Sequence, residues 1–495
     1  MFPGRKNDYV ILSQNGKRQA MKFDREEQKM EISMESKKIR ENFQKFGVAT
    51  FLYACFYTFC MYKNGAGITY LFLVAAGLVY VRYCGKQLDI SAKKGTCFYT
   101  VSMLLLGIST FCTNDSRIIM FNKTGVFLLM ISMVLYNVVE TKKWGPGKYL
   151  VTMIQSILWS WGEWVWPFRD AKNYCKTKLG SKGKTALHAA IGVMVSVPVV
   201  CLVVQLLMSA DILFGTMTER LLESLKLKNL FGISAMTVFV FFCVYGFLSY
   251  VVKGEIKEEV TEQKKGEAVL AIPMAGILTS VYLIFSGVQI AGLFLGKLAL
   301  PEGYTYAMYA REGFFQLLAV SALNLVLVLS GMQFFKANKL LTLLLTLMSV
   351  CTFIMIASSA VRMLLYIQEY RLTFLRILVL WSLLVLTILF IGVIINLYKK
   401  QFSLFRYSMV VVTVCYLGLS FVHPDYWIAK YNVAQTEAGD PIDDSYLKRL
   451  STDAAPVLVP YFGAKEVQKY WDVEKADSIR AFNLSAYTAK RLLEK

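Results

Sequence analysis

Apolar runs of about twenty residues recur between residues 46 and 422, each long enough to cross a hydrocarbon core of roughly 30 Å at 1.5 Å per helical residue. That repetition constrains the fold more than any other feature: the chain reads as an all-α, polytopic transmembrane helical bundle followed by a small helical C-terminal tail domain. Spans are expected near 46–62, 66–81, 97–113, 118–138, 186–208, 231–252, 268–295, 313–331, 340–364, 373–397 and 407–422, about eleven in all. In the fourth, Asn122 and Lys123 lie close to one end, where a lysine can snorkel to the interface. Only 18% of the 495 residues are charged and 56% are hydrophobic, which excludes an ordinary cytosolic enzyme.

Residues 1–45 form a basic amphipathic arm in which Phe23, Met30, Met34, Ile39 and Phe43 alternate with charges, as suits a helix on the cytoplasmic membrane surface. No signal peptide is expected, since Arg5, Lys6, Lys17, Arg18, Lys22 and Arg25 precede any apolar run. Within the 46–422 membrane domain, residues 147–185 stand apart: Trp159, Trp161, Trp164 and Trp166 crowd around Glu163 and are followed by lysines. This segment is expected at the membrane interface. Residues 423–495 are polar and cysteine-free and read as the tail domain.

The net charge of +20 would suggest nucleic acid in a soluble protein. In a multi-pass chain it marks cytoplasmic loops facing anionic headgroups, so no nucleic-acid partner is expected. The basic arm, the loop with Arg82, Lys86, Lys93 and Lys94, and the stretch from Lys142 to Lys184 fall on one side, while the loops around Asn64 and Asn114 are short and nearly uncharged. By the positive-inside rule the N-terminus is cytoplasmic, and eleven spans put the tail outside.

Catalytic chemistry is thinly represented. Eight of the ten cysteines lie in apolar runs, only Cys84 and Cys175 having polar surroundings, and His188 and His423 are the only histidines. No metal site, disulfide framework or histidine-based triad is expected, and no cofactor. A near P-loop at Gly183, Lys184 and Thr185 has Lys178 where the pattern needs glycine and no preceding strand. Gly292 and Gly296 form a GxxxG read as close helix packing, and Pro198 and Pro273 are read as kinks within spans.

The candidate cluster is drawn from ionisable groups near the later spans, where charge is costly and is usually paired or wetted. Arg311 and Glu312 enter the eighth span. Arg362, Tyr366, Glu369 and Tyr370 share much of one face near the end of the ninth, Arg376 opens the tenth, and His423 and Asp425 begin the tail. If the topology holds, all gather at one membrane surface. One reading is that they tie helix ends to one another and to the tail. The other is that the arginines and tyrosines line an outward-facing pocket for an anionic or amphiphilic ligand such as a lipid headgroup.

These residues also carry a resemblance. YAREGFF (Tyr309 to Phe315), ASSAVRMLLY (Ala357 to Tyr366), LTFLR (Leu372 to Arg376), HPDYWIAKYNV (His423 to Val433) and DSYLKRLSTDAAPVL (Asp444 to Leu458) are similar to a bacterial multi-pass membrane family, domain of unknown function four-one-seven-three, related to four-one-five-three. The resemblance spans roughly the C-terminal two-fifths, and it departs from the family pattern at His423, where asparagine is usual, and at Arg371, where glycine is usual. It implies the architecture and no reaction.

The expected function is therefore non-enzymatic sensing, scaffolding or regulation in the bacterial plasma membrane, with the lipid bilayer and a membrane protein as partners. A transporter or lipid-handling protein is the alternative, followed by a membrane-embedded transferase using Glu312, Glu369 or Asp425 as base.

Overall fold

The computed structural model describes residues 36–65, 67–141, 144–178, 192, 196, 199–200, 203–224, 227–254, 256, 266–294, 313–399, 401–437, 444–471, 473 and 479–494. Within them the backbone is helical, with one isolated bridge between Gly266 and Phe335. The first group of helices comprises α1 (Phe43–Met61), α2 (Thr69–Gln87), α3 (Thr96–Cys112) and α4 (Ser116–Val138). The tryptophan-rich segment forms α5 (Pro146–Trp159), a 3-10 turn at Ser160–Val165, and α6 (Trp166–Lys178). Next come α7 (Ile212–Ser224), α8 (Leu227–Val252), α9 (Ala268–Gln289), α10 (Phe314–Phe334), α11 (Lys339–Tyr370), α12 (Phe374–Tyr398) and α13 (Leu404–Phe421). The tail holds α14 (Pro424–Glu437), α15 (Asp444–Lys448), α16 (Ala455–Phe462), α17 (Ala464–Val467) and α18 (Leu484–Leu493).

Seven described helices are long and apolar enough to cross a membrane: α4 and α8 to α13. The chain is an integral membrane protein of all-α class. Helices α1 to α3 stand where the first three spans were expected but fall short of that measure. Gln44, Lys45 and four tyrosines and threonines dilute α1, Arg82, Lys86 and Gln87 dilute α2, and α3 has only 17 residues. The span expected at 186–208 lies largely outside the described residues, as do the arm up to residue 35 and both Pro198 and Gly296.

Short connections make α1 to α4, and α10 to α13, successively antiparallel, so the bundle has two ends. At the arm end, Lys38 pairs with Asp89 (2.7 Å), Lys93 donates to Val139 O (2.9 Å), Lys253 pairs with Glu163 (2.9 Å), and Tyr149 stacks on Phe405 with centroids 3.9 Å apart. At the opposite, tail end, the α1–α2, α3–α4 and α11–α12 connections meet the C-terminal helices. One group of helices packs α1 to α4 with α8 and the tryptophan-rich turn, another packs α9 to α12, and α13 bridges them through α3 and α12.

Polar groups inside the bundle pair across helices, as a low-dielectric interior requires. Tyr282 donates to Asn324 Oδ1 (2.7 Å) and Asn324 donates to Thr352 (3.0 Å), tying α9, α10 and α11. Asn122 accepts from Tyr416 (2.6 Å) and Ser420 (2.8 Å) and donates to Ser109 (3.1 Å), tying α3, α4 and α13. Lys123 reaches the Gly65 carbonyl in the α1–α2 connection. Cys84, despite its polar sequence neighbours, is buried with Ile39, Phe46, Leu88, Tyr245 and Val252. In the tryptophan-rich segment Trp159 and Trp161 are exposed, whereas Trp164 packs on Phe239 and Phe242 of α8.

The tail has its own apolar core of Ile428, Ala429, Leu447, Leu450, Ala454, Ala455, Leu458, Val467 and Ala489, and the bundle completes it with Ile118 and Phe374. About seventy residues bury too little surface to stand comfortably alone, and two borrowed side chains extend that core into the membrane-facing part of the protein.

Candidate functional site

The chain reverses between α3 and α4 at Thr113, Asn114 and Asp115, and Asp115 caps α4 by accepting from the Arg117 backbone N–H (2.9 Å). Its carboxylate also accepts from Arg117 Nε and Nη2, both at 2.8 Å, a bidentate pair in which the acid is 2% and the guanidinium 37% exposed. The same Nη2 reaches Asp425 Oδ1 at 2.5 Å, and the guanidinium lies over the Phe374 ring (3.9 Å). Asp425, in the first turn of α14 and 1% exposed, takes its other bond from the Ser451 N–H (2.9 Å). One arginine of the bundle thus neutralises two buried carboxylates, one from the bundle and one from the tail.

A second acid completes the junction from the tail side. Asp453, whose side chain is fully buried, accepts from Thr113 Oγ1 (2.5 Å) and the Asn114 N–H (2.8 Å) and bonds His423 Nδ1 (3.0 Å). Asn483 donates to Thr113 O (2.8 Å) while capping α18 through Ala486 N–H (3.1 Å). Further contacts extend the junction. Asn432 exchanges two bonds with the Leu372 backbone (2.9 and 3.0 Å), Tyr446 accepts from Phe374 N–H (3.3 Å), and Ile68 N–H donates to Phe482 O (2.8 Å). A β-carbon on Gly67 would collide with the Arg480 carbonyl, so glycine permits the tail backbone to lie against the α1–α2 turn.

The nine sequence candidates divide. His423 and Asp425 belong to this junction. Tyr366, Tyr370 and Arg376 form a stack beside it: Arg376 lies 4.4 Å from the Tyr366 ring centroid, Tyr366 and Tyr370 are 4.8 Å apart, and the guanidinium donates to the Tyr370 (2.6 Å) and Arg371 carbonyls that end α11. Arg362 turns into the bundle, donating to Gln289 Oε1 (3.4 Å) on α9, which also accepts from Ser358 (2.6 Å). Glu369 is exposed. Arg311 and Glu312 lie outside the described residues. Thr113, Asp115 and Arg117 were missed by reading the sequence because the α3–α4 loop has nearly zero net charge, and Asp453 because no local pattern separates it from the other acids of the tail. The Asp-x-Arg at a helix start was the available signal.

Burial alone would raise Asp453, but bonds from His423, Ser485, Thr113 and the Asn114 N–H together hold it below the ordinary 3.8. The bond to Asp453 lifts His423 above the ordinary 6.5, against the opposing effect of burial. Burial, then the Asp115 carboxylate, push Asp425 upward against Arg117. The signs define a window. The His423 contribution is complete below about pH 6.5 and is lost as pH rises through its raised value. The Asp453 contribution is complete above about pH 3.8 and is lost as pH falls through its depressed value. The penalty for a charged Asp425 is relieved on the acid side. Tail docking is therefore expected to be firmest in mild acid: proteolysis of the tail should run severalfold faster at pH 8.5 than at pH 5.5, and H423Q should flatten that difference. Equal rates at the two pH values in the unaltered protein would exclude the His423 contribution.

With its carboxylates committed to hydrogen bonds, the junction holds two parts of the chain together. The sequence profile of a family described as a domain of unknown function, DUF4153, matches residues 100–461. That stretch begins in α3 and ends in α16, so it contains Arg117, Asp425 and Asp453, and it reaches far N-terminal of the motifs that carried the resemblance. The match falls on the relative, four-one-five-three, where the motifs had put four-one-seven-three first. No curated protein and no solved structure matches the chain.

Proposed function

We propose, from the premise that this chain belongs to the DUF4153 family of domains of unknown function, that it is a multi-pass membrane protein with a non-enzymatic sensing, scaffolding or regulatory role at the bacterial cell envelope, exercised by the C-terminal unit on the outer end of the bundle. The observation that carries this reading is the junction itself. Asp425 and Asp453 in the tail and Arg117 and Thr113 in the bundle are bonded directly, so a load or ligand on the tail acts on the ends of α3, α4 and α12. Of the three carboxylates offered as base in the transferase alternative, Asp425 is occupied by Arg117 and Ser451.

The distribution of basic residues supports an outer position for the tail. In the bundle itself, leaving aside the tail's own basic residues, Lys38, Lys45, Arg82, Lys86, Lys93, Lys94, Arg169, Lys253, Lys336 and Lys339 belong to the arm end, against Lys63, Arg117, Lys123, Arg371 and Arg376 at the tail end; a translocated segment as long as the tail carries little topological weight. An eleven-span path with a cytoplasmic N-terminus agrees with that asymmetry. The test is sidedness. Ile479, 89% exposed, is replaced by cysteine in a background without other cysteines, and intact cells are treated with a membrane-impermeant maleimide. Labelling is expected in intact cells. Labelling only after lysis would put the tail in the cytoplasm and overturn the envelope-facing role.

A further inference from the structure

A cavity of about 980 Å³ opens between α1, α2, α3, α4 and α8, at the upper end of the roughly 300–1,000 Å³ typical of ligand sites. Its position is informative. The walls come from the arm-end halves of three helices, Gly77 to Lys86 of α2, Phe127 to Val138 of α4 and Phe239 to Val252 of α8, together with the first turns of α3. Along α8 that lining covers about 20 Å at 1.5 Å per residue, comparable to one leaflet, about half of a roughly 30 Å core. The walls are overwhelmingly apolar, and exposed Val79, Phe127 and Phe239 bring them to the outer surface of the bundle. Two cations, Arg82 and Lys86, line the cavity one helical turn apart near the arm-end terminus of α2. Both are exposed, and neither pairs with a carboxylate among the described residues.

From this we infer a binding site for one anionic phospholipid of the arm-end leaflet, its two acyl chains filling the cavity and the phosphate lying against Arg82 and Lys86. An apolar slot one leaflet deep with cations only at its interfacial end matches the charge and length of such a lipid, and a zwitterionic headgroup gains less from the same two cations. The inference does not depend on the reading of the tail or on which side the arm end faces.

The test uses the purified full-length chain in mild detergent, exposed to phosphatidylglycerol or phosphatidylcholine, with retained lipid counted by native mass spectrometry. One phosphatidylglycerol is expected to be retained at least tenfold over phosphatidylcholine. The R82Q/K86Q pair should bring the two lipids to parity, V244W should reduce retention of both by narrowing the cavity, and K336Q/K339Q, basic but outside the lining, should keep the preference. Equal retention of the two lipids by the unaltered chain, no retained lipid, or a preference that survives R82Q/K86Q would overturn the proposal. Displacement of the lipid by inorganic phosphate would also overturn it, by assigning the cations to a free anion. If V244W does not fold, the surface pair R82Q/K86Q decides alone.

Discussion

Replacing Arg117 by leucine is expected to undock the tail and to do so in a pH-dependent way. The substitution leaves Asp115 and Asp425, 2% and 1% exposed, without a counter-charge; because the guanidinium itself is 37% exposed, the cost falls at the low end of the range for buried pairs, about 3 kcal/mol. At 1.4 kcal/mol per tenfold, the docking equilibrium constant falls by roughly 10²-fold. Burial already pushes Asp425 upward, and without Arg117 it protonates more readily in the fold than in the open chain, so the loss should be relieved as pH falls and grow as pH rises through its raised value. Hydrogen exchange over residues 444–494 reads this directly, and Arg117→Lys separates charge from geometry by restoring the first without the fork. Unchanged protection in Arg117→Leu would mean that the apolar core around Ile118 and Phe374 holds the tail unaided.

Asp453→Ala is expected to weaken the same docking by about 3 kcal/mol, with a different signature. Removing the acid strips an acceptor from Thr113, the Asn114 N–H and His423 in a buried place, and each donor left unsatisfied costs about 1–3 kcal/mol, less than additively. His423 loses the partner that raises it, so the alkaline loosening of the tail should vanish together with the stability. Proteolytic nicking of the tail across pH 5.5 to 8.5 distinguishes the two variants: steep in Arg117→Leu, flat in Asp453→Ala.

Much of the architecture was legible because it follows from hydrophobic run length alone, which a sequence displays directly. Helices stand at ten of the eleven expected span positions. The junction was harder to read. Its bonds join residues 308 to 340 positions apart, and no local pattern announces which acid meets which base at that separation. Asp453 has no local pattern to set it apart from the other acids of the tail, and Arg117 was masked because Asp115 cancels it in a charge count. Helical spacing placed Arg362 on the face of Tyr366, but the length of its side chain lets it turn to Gln289.

Two departures from the resemblance acquire a physical meaning. Arg371 and His423 adopt φ of 74° and 52°, in the left-handed region where glycine and asparagine are favoured, which are the residues the family pattern has at those positions. Both are turn residues flanking the junction, each carrying on the order of 1–3 kcal/mol of backbone strain that the surrounding contacts must offset. His423 repays part of it through Asp453, a bond that an asparagine would make without a proton to lose.

The separation of 340 residues between Thr113 and Asp453 also orders events during biosynthesis. At roughly 5–20 residues per second a ribosome reaches the second partner some 20–70 s after the first, when all later membrane helices have been made. Until then Asp115 and Arg117 sit at the rim of an unfinished bundle without Asp425 or the Asp453 lock. Closure of the tail thus reports that the whole chain has been inserted in the right orientation, and a span inverted during insertion would carry these acids to the wrong side of the bilayer. An undocked C-terminal segment is therefore the physical signature of a bundle whose later helices are not yet in place.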